Sequence, residues 1–465
     1  MYESVFNFGG VNTFINPFNK QSGELLLSVN VDSEPAGAKR KRPGYVTYLN
    51  SIGGTIDSLW DWQRNNGTQF WTYAVSGGSI FYSQQGTGDW TICGNGTMTD
   101  NARVGNVDVQ GTFMMIGDGT AATRHTTDGT SFTNTSAAPI ASQFESYQNR
   151  IYALGTLALH YSTAGTPGNW TTDSTSIDLP GGGAPRGLMK VSDRIVATKT
   201  TEEMYRWDGY NLFDIATKLG PSSRYSVKKI EDYALYLNEK GVFGFNGDRP
   251  ELLSNPIERQ IYNDSGNGIA GGTFASAPAG EYKYNYYLSV GTVTDELTDE
   301  TINDAIIKYD YQLNEFSNYR FANFPTAWHT YKDAGGVERL IFGDIVGQSY
   351  TFGGTATSDN GAAIEAQMIG FLHWNQPHID KLFKRIWVFA NPGCEGHVLV
   401  APSNTFTRQK KKWLPVGQFV DGIAELEFPS DSEGKLLFWK FNESSTTTRF
   451  TLYGFVVEFD TIERP

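Results

Sequence analysis

At 465 residues and 51.5 kDa the chain is long enough for two or three domains, or for one large all-β body with an appendage. A net charge of −13 and a pI near 5.0 argue against a protein that grips nucleic acid, since that binding needs clustered Lys and Arg to displace counterions. No apolar run reaches the length of a membrane helix, and no basic segment followed by an apolar core opens the chain. Stable membrane insertion and a signal peptide are therefore not expected. Cys93 and Cys394 fit no metal spacing; two separate thiols are expected, with a long-range disulfide as the alternative. Gly at 51 positions and aromatics at 14% are what many turns between aromatic, β-branched strands would produce.

In chain order, the first fifty residues read as an arm. Val11 to Phe18 and Ser22 to Val31 are extended segments that could close a ring or dock on a C-terminal domain. From Ile80 onward one module recurs: a short strand, a Gly/Asp/Asn turn, and an aromatic or apolar return strand. Its markers are Phe81, Arg124, His160, Met204, Phe243, Tyr309 and Tyr350, at successive spacings of 43, 36, 44, 39, 66 and 41 residues. Five of these six match the pitch of a four-stranded propeller blade. The long interval holds a Gly-, Ala- and Ser-rich stretch from Gly266 to Gly280, read as an insertion. Upstream of most markers lies an uninterrupted apolar run, such as Arg150 to Leu154, Arg194 to Ala197 and Tyr233 to Leu237, suited to a strand buried on both faces.

The expected fold is thus all-β, a β-propeller of six or seven blades over 51–360. An irregular β-sandwich is the rival, but it would not produce so regular a spacing. The only helical pattern of note, Pro256 to Asn263, is about one turn. After Asn360 the blade turn disappears. Short alternating strands up to Phe459 then suggest an antiparallel β-sandwich at 361–465, with the arm as a third element at 1–50.

Chemistry-bearing constellations are sparse. Six histidines are scattered without a nucleophile motif, and His373 and His378 beside Trp374 and Pro377 read as a loop rather than a metal pair. The acid-rich run Asp295-Glu296-Leu297-Thr298-Asp299-Glu300, followed by Asp304, reads as a solvated loop; calcium or a glycosidase carboxylate pair are the sharper alternatives. Gly181-Gly182-Gly183 and Gly271-Gly272 lead into no helix with Lys-Ser/Thr and are not phosphate loops. The basic clusters are Lys39-Arg40-Lys41-Arg42 and Arg408-Gln409-Lys410-Lys411-Lys412. Each reads as a solvated turn or, more sharply, with Lys39, Arg40, Lys41, Arg42, Arg408, Lys410, Lys411 and Lys412 as docking patches for an acidic neighbour. No catalytic, metal-binding or cofactor-binding residue is assigned, no cofactor is expected, and the chain is not expected to be an enzyme.

Two turns, Thr126 to Phe132 and Ser162 to Trp170, resemble the Asp-box of sialidase-type propellers, a rim staple that speaks for fold and not for activity. A wider resemblance runs from Phe8 to Phe459. It includes Phe8-Gly9-Gly10-Val11-Asn12, Asn30-Val31-Asp32, the step Lys39-Arg40-Lys41-Arg42-Pro43-Gly44-Tyr45, the segment Lys308 to Ser317, and the closing strand Phe450 to Phe459. In this order the motifs resemble the podovirus tail nozzle or tail hub proteins (the tail tubular protein B-like group), with Phe316 where Trp is common. The resemblance implies a virion structural protein assembled in the host cytoplasm. It would be a homo-hexameric ring below portal and adaptor, carrying tail fibres or spikes, that extends the channel, helps retain packaged double-stranded DNA and conducts it at ejection. An acidic lumen would let DNA slide without specific binding. On this reading the arm and the 361–465 sandwich face the adaptor, so removing residues 1–45 should abolish attachment yet leave a soluble propeller. The alternatives are a receptor- or carbohydrate-binding tail-tip propeller using rings such as Trp90, Trp170 and Trp207, and a sialidase-like glycosidase.

Overall fold

The computed structural model describes the chain except for residues 14–22, 35–36, 65–66, 85–87, 172–174, 231, 263–267, 270–272, 296–297, 299, 334, 373–377, 406–410, 431 and 463–465. Of the residues singled out above, those at 14–18 and 22, Asn263, Gly266, Gly271, Gly272, Glu296, Leu297, Asp299, His373, Trp374, Pro377, Arg408, Gln409 and Lys410 lie outside the described residues.

Six separate four-stranded antiparallel sheets make up the blades of a β-propeller. Blade one runs from Ser58–Arg64 through Gln69–Ser76 and Ser79–Gln84 to Thr91–Thr97. Blades two to five follow the same in-to-out order over 105–134, 144–178, 185–216 and 228–252. The last blade is Ala327–Lys332, Glu338–Gly343 and Ser349–Phe352, and its outer strand comes from the other end of the chain. That strand is Tyr45–Leu49, with Phe352 opposite Tyr45 and Ser349 opposite Leu49.

All seven markers fall on the third strand of their sheet, and the apolar runs before them are the second strands. Those second strands are buried nearly end to end, as in Arg194–Lys199 and Tyr233–Asn238, because blades cover them from both sides. The marker with no blade of its own is Tyr309. It belongs to a nine-stranded sheet whose first four strands, Ala279–Tyr282, Asn285–Asp295, Glu300–Asp310 and Glu315–Arg320, occupy the angular position between blade five and the last blade. Ala279 lines the same axial cavity as the inner strands of the other blades. Tyr286 donates to the Ser226 carbonyl at 2.7 Å on one side, and Tyr287 stacks on Trp328 at 5.8 Å on the other. The propeller thus has six self-contained blades and a seventh position filled by a larger sheet.

That sheet continues outward through Leu27–Val29, which runs parallel to Glu315–Arg320 and antiparallel to Ala366–Leu372, and then through Leu436–Glu443, Glu395–Ser403 and Leu414–Val420. Facing it is a seven-stranded sheet built on Asp380–Ala390 and Thr451–Ile462, with Tyr2–Val5, Val31–Asp32 and Lys39–Lys41 at one side and Ile423–Glu427 and Glu433–Gly434 at the other. The two sheets enclose the largest apolar core, where Trp439 meets Phe455 at 5.1 Å and Phe8 meets both. We call this sandwich the platform.

Hydrogen-bonded strands cross both lines drawn through the sequence at 50 and 360. The described part of the first fifty residues supplies four strands to the platform and one to the propeller. One turn of 3-10 helix at Asn255–Ile257 and one of α-helix at Glu258–Ile261 overlap the short helix expected at Pro256 to Asn263, and of the insertion expected at Gly266 to Gly280, residues 266, 267 and 270–272 lie outside the described residues. Cys93 and Cys394 are both free and buried, one in blade one and one in the platform, which removes the long-range disulfide.

Candidate functional site: the seam and the axial cavity

The basic step at 39–42 lies where platform and propeller join. Lys39–Lys41 is a strand between Val31–Asp32 and Thr451–Ile462, so alternate side chains point into the protein. Lys39 reaches Glu315 at 3.4 Å. Lys41 pairs with Glu443 at 2.7 Å, with 0% and 1% of the two side chains exposed, and also donates to the Ser445 carbonyl at 2.6 Å. Burial pulls both lysines below the usual ammonium range and pushes Glu443 above the usual carboxylate range, each opposed by its partner.

Arg42 is wholly buried and uses all five of its N–H donors. Its Nη1 and Nη2 reach the Asp359 carboxylate at 2.8 and 2.7 Å. They also donate to the Pro43 and Arg320 carbonyls, and Nε donates to Asn30 Oδ1 at 2.8 Å. The guanidinium lies 4.4 Å from the ring centre of Phe321. Asn30 itself holds a left-handed backbone at φ 59, which its short polar side chain tolerates. Asp32, two residues on, accepts from Lys308 at 2.6 Å and from Tyr319. Burial alone would raise Asp32, but the Lys308 charge and the two hydrogen bonds outweigh it and hold the group below the ordinary carboxylate value.

Gly44 packs so closely that a Cβ would lie 1.9 Å from the Ser358 carbonyl oxygen, which is why no side chain fits there. Tyr45 then opens the closing strand, fully buried and edge-on to Phe342 at 4.9 Å. Both the Asn-x-Asp and the Arg-Pro-Gly-Tyr elements are therefore parts of one internal seam. Lys39, Lys41 and Arg42 are not a surface patch, and the docking role expected for them is corrected: their charges are spent inside the chain. Arg40 is half-buried on the same strand. In the second cluster, Lys412 is exposed and Lys411 lies 4.0 Å from the centre of the Phe438 ring.

The inner strands begin around a cavity of about 290 Å³ on the propeller axis. Its charged lining is Asp57, Arg103, Glu145, Arg224, Lys228 and Lys229, each at or just before the start of an inner strand. Arg103 bridges across the cavity: it donates to the Ser276 carbonyl at 2.7 Å and the Thr326 carbonyl at 3.2 Å. The Tyr225 ring lies between two cations, 4.3 Å from Arg103 and 4.7 Å from Arg224. Burial raises Asp57 to about 6, with Arg103 opposing and Asp100 adding to the shift. Burial also raises Glu145 to about 7 against the pull of Lys229 and Lys190, and lowers Lys228 to about 8 against Glu281.

No known family model matches the chain, and no curated protein matches it. Solved structures that resemble it include YCF48 from Cyanidioschyzon merolae, at 10% identity and a TM-score of 0.43, covering 67% of this chain and 98% of that one. YCF48 bound to a D1 peptide gives 10%, 0.41, 67% and 99%, and the computationally designed Ika8 protein 9%, 0.40, 67% and 99%. The likeness is one of fold.

Several of the remaining sequence candidates are held by local contacts. Asp128 accepts from the Thr130 and Ser131 amides at 2.8 and 3.0 Å and from the Thr126 and Ser131 hydroxyls, stapling the turn between the third and fourth strands of blade two as an Asp-box does. Asp295 is buried and accepts from the Thr298 amide and hydroxyl at 2.8 Å, so it does not belong to a solvated acidic pair. Trp170 is buried in the core between blades two and three, and Trp90 and Trp207 are half-buried against blade residues. Among the described residues no group of three or more His, Cys, Asp or Glu could hold a metal ion.

The axial residues escaped sequence reading because they carry no motif. Their one shared signal is position, near the head of the first strand in blades one, two, three and five. The seam partners Glu315, Asp359 and Glu443 are scattered over 128 residues and have no common spacing.

On the outer face of the platform, Phe6 lies 5.4 Å from Phe389, Tyr2 lies 6.0 Å from Trp387, and Ile423 sits opposite Phe389 on the next strand. Gly454 makes room for this row, since a Cβ there would lie 2.4 Å from the Phe6 ring. Arg385, paired with Glu425 at 2.8 Å and Glu458 at 3.7 Å, borders it.

Proposed function

We propose that the chain is a structural component of a short phage tail, a nozzle or hub subunit that joins others in a ring below portal and adaptor and conducts DNA. The observation that carries this reading is the seam. The motif order that resembles the tail nozzle and hub group coincides with the residues that weld platform to propeller: Asn30, Asp32, Lys41, Arg42, Gly44 and Tyr45. A shared nine-stranded sheet reinforced by buried ion pairs suits a part whose work is to keep its shape under load. The apolar row from Tyr2 to Ile423 supports a contact at the platform end, where the adaptor ring would sit. The net charge of −13 supports passage of DNA without retention.

Negative-stain microscopy of the purified protein, alone and mixed with portal and adaptor rings, tests this. Closed rings, or rings stacked coaxially on the adaptor with platforms inward, are expected. Dispersed monomers that never associate with the adaptor would overturn it.

A further inference from the structure

We infer that the axial cavity of the propeller is a binding site for a dianionic phosphate group that retains a hydroxyl donor. This rests on the cavity alone and is independent of the tail reading.

Four cations and two carboxylates line the cavity, an excess of two positive charges. Among the described residues no ion pair engages Arg103, Arg224, Lys228 or Lys229; Asp57, Glu281 and Glu145 act on Arg103, Lys228 and Lys229 only through space. A net positive charge gathered in a narrow protein-walled space is unfavourable unless an anion shares it. Space for one exists: the cavity of about 290 Å³ takes a small oxyanion with part of its water shell.

Asp57 specifies the anion further. It is 8% exposed, it lines the cavity, and its Oδ2 is a buried acceptor with no hydrogen-bond partner. A carboxylate would repel a fully deprotonated oxyanion, but it accepts a hydrogen bond from an oxyanion that still carries O–H. Hydrogen phosphate offers both the charge for the cations and the proton for Asp57, whereas sulfate offers only the charge. At pH 7 Asp57, at about 6, is mostly an acceptor and Lys228, at about 8, is mostly cationic, which is the pairing this ligand needs. The dianion of a phosphate monoester carries no O–H on phosphorus, so it shares the charge with sulfate but lacks the donor for Asp57; free hydrogen phosphate alone has both.

The test is calorimetric titration of the full chain at pH 7 and constant ionic strength with sodium phosphate, sodium sulfate and glycerol phosphate in separate runs. Phosphate should bind at one site, at least about tenfold more tightly than sulfate, a difference of one hydrogen bond to a charged group. Glycerol phosphate, whose dianion has no O–H on phosphorus, should bind more weakly than phosphate, and binding as tight as phosphate would overturn the hydroxyl requirement. Lys228→Gln should weaken phosphate about tenfold or more. Asp57→Asn, which supplies an N–H in place of the lone acceptor, should collapse the preference over sulfate. Lys229→Gln, on an exposed side chain, gives a second weakening should Asp57→Asn fail to fold. No binding of phosphate, equal binding of phosphate and sulfate, or full affinity in both lysine variants would overturn the assignment.

Discussion

The guanidinium of Arg42 and the carboxylate of Asp359 meet through two parallel hydrogen bonds, with 0% and 2% of their side chains exposed, although 317 residues separate them in the chain. Arg42 follows the platform strand Lys39–Lys41, and Asp359 follows the last blade, so this pair helps tie the two bodies together at the seam. Removing one member leaves the other charged and buried. Asp359→Asn and Arg42→Met should each cost about 3–5 kcal/mol in denaturant unfolding, and Arg42→Lys should be nearly as harmful because it cannot fill five donor positions. A double-mutant cycle showing no coupling would mean the pair does not hold the joint.

Deleting residues 1–45 should not leave a soluble propeller. The deletion removes Leu27–Val29 from the interior of the nine-stranded sheet, both neighbours of which would then expose unpaired backbone edges. It also removes Arg42 and Tyr45. Aggregation, or a circular dichroism spectrum without a cooperative melt, is expected. A monodisperse truncated protein with a native spectrum would show that the arm only decorates the fold.

Acid sensitivity should concentrate at Asp32, which faces Lys308, Tyr319 and Arg449. Its folded value lies below the ordinary 3.8, so its ionised form contributes stability that is complete above pH 3.8 and is lost as pH falls through the lower folded value. The stability gap between wild type and Asp32→Asn, measured by urea unfolding, should be constant from pH 5 upward and should narrow below about pH 4. A gap independent of pH down to 2 would assign Asp32 a purely steric role.

Contacts at the platform end can be separated from stability. Ile423→Asp changes a residue 69% exposed, so its effect on the melt should stay within about 0.5 kcal/mol. The same change should weaken association with adaptor rings about tenfold or more, measured by analytical ultracentrifugation, because it plants a charge opposite Phe389 and beside Phe6. Unchanged association would move the contact elsewhere on the molecule.

Blade pitch was legible in the sequence because each third strand repeats a strand–turn–aromatic pattern, and Phe81, Arg124 and His160 occupy equivalent positions. The Asp128 turn was legible for the same reason: its hydrogen bonds are local. What pairing with distant strands decides was not. Tyr309 carries a blade marker, yet its sheet runs on into the platform because Leu27–Val29, about 280 residues earlier, lies against Glu315–Arg320. Likewise, Lys39, Lys41 and Arg42 read as a charged surface because composition cannot show that Glu315, Glu443 and Asp359 come to meet them. The axial cations were invisible since no two of their blades share a local motif.

The strand Tyr45–Leu49 leaves the ribosome long before its partner Ser349–Phe352 exists. For most of synthesis, at roughly 5–20 residues per second, it has nothing to pair with, and the circle of blades stays open. Leu27–Val29 waits as well, since both its neighbours lie beyond residue 314. Birth order and assembly order are thus reversed at the two places that lock the molecule. Folding should be slow and committed late, with a lag that ends only when the C-terminal third has emerged.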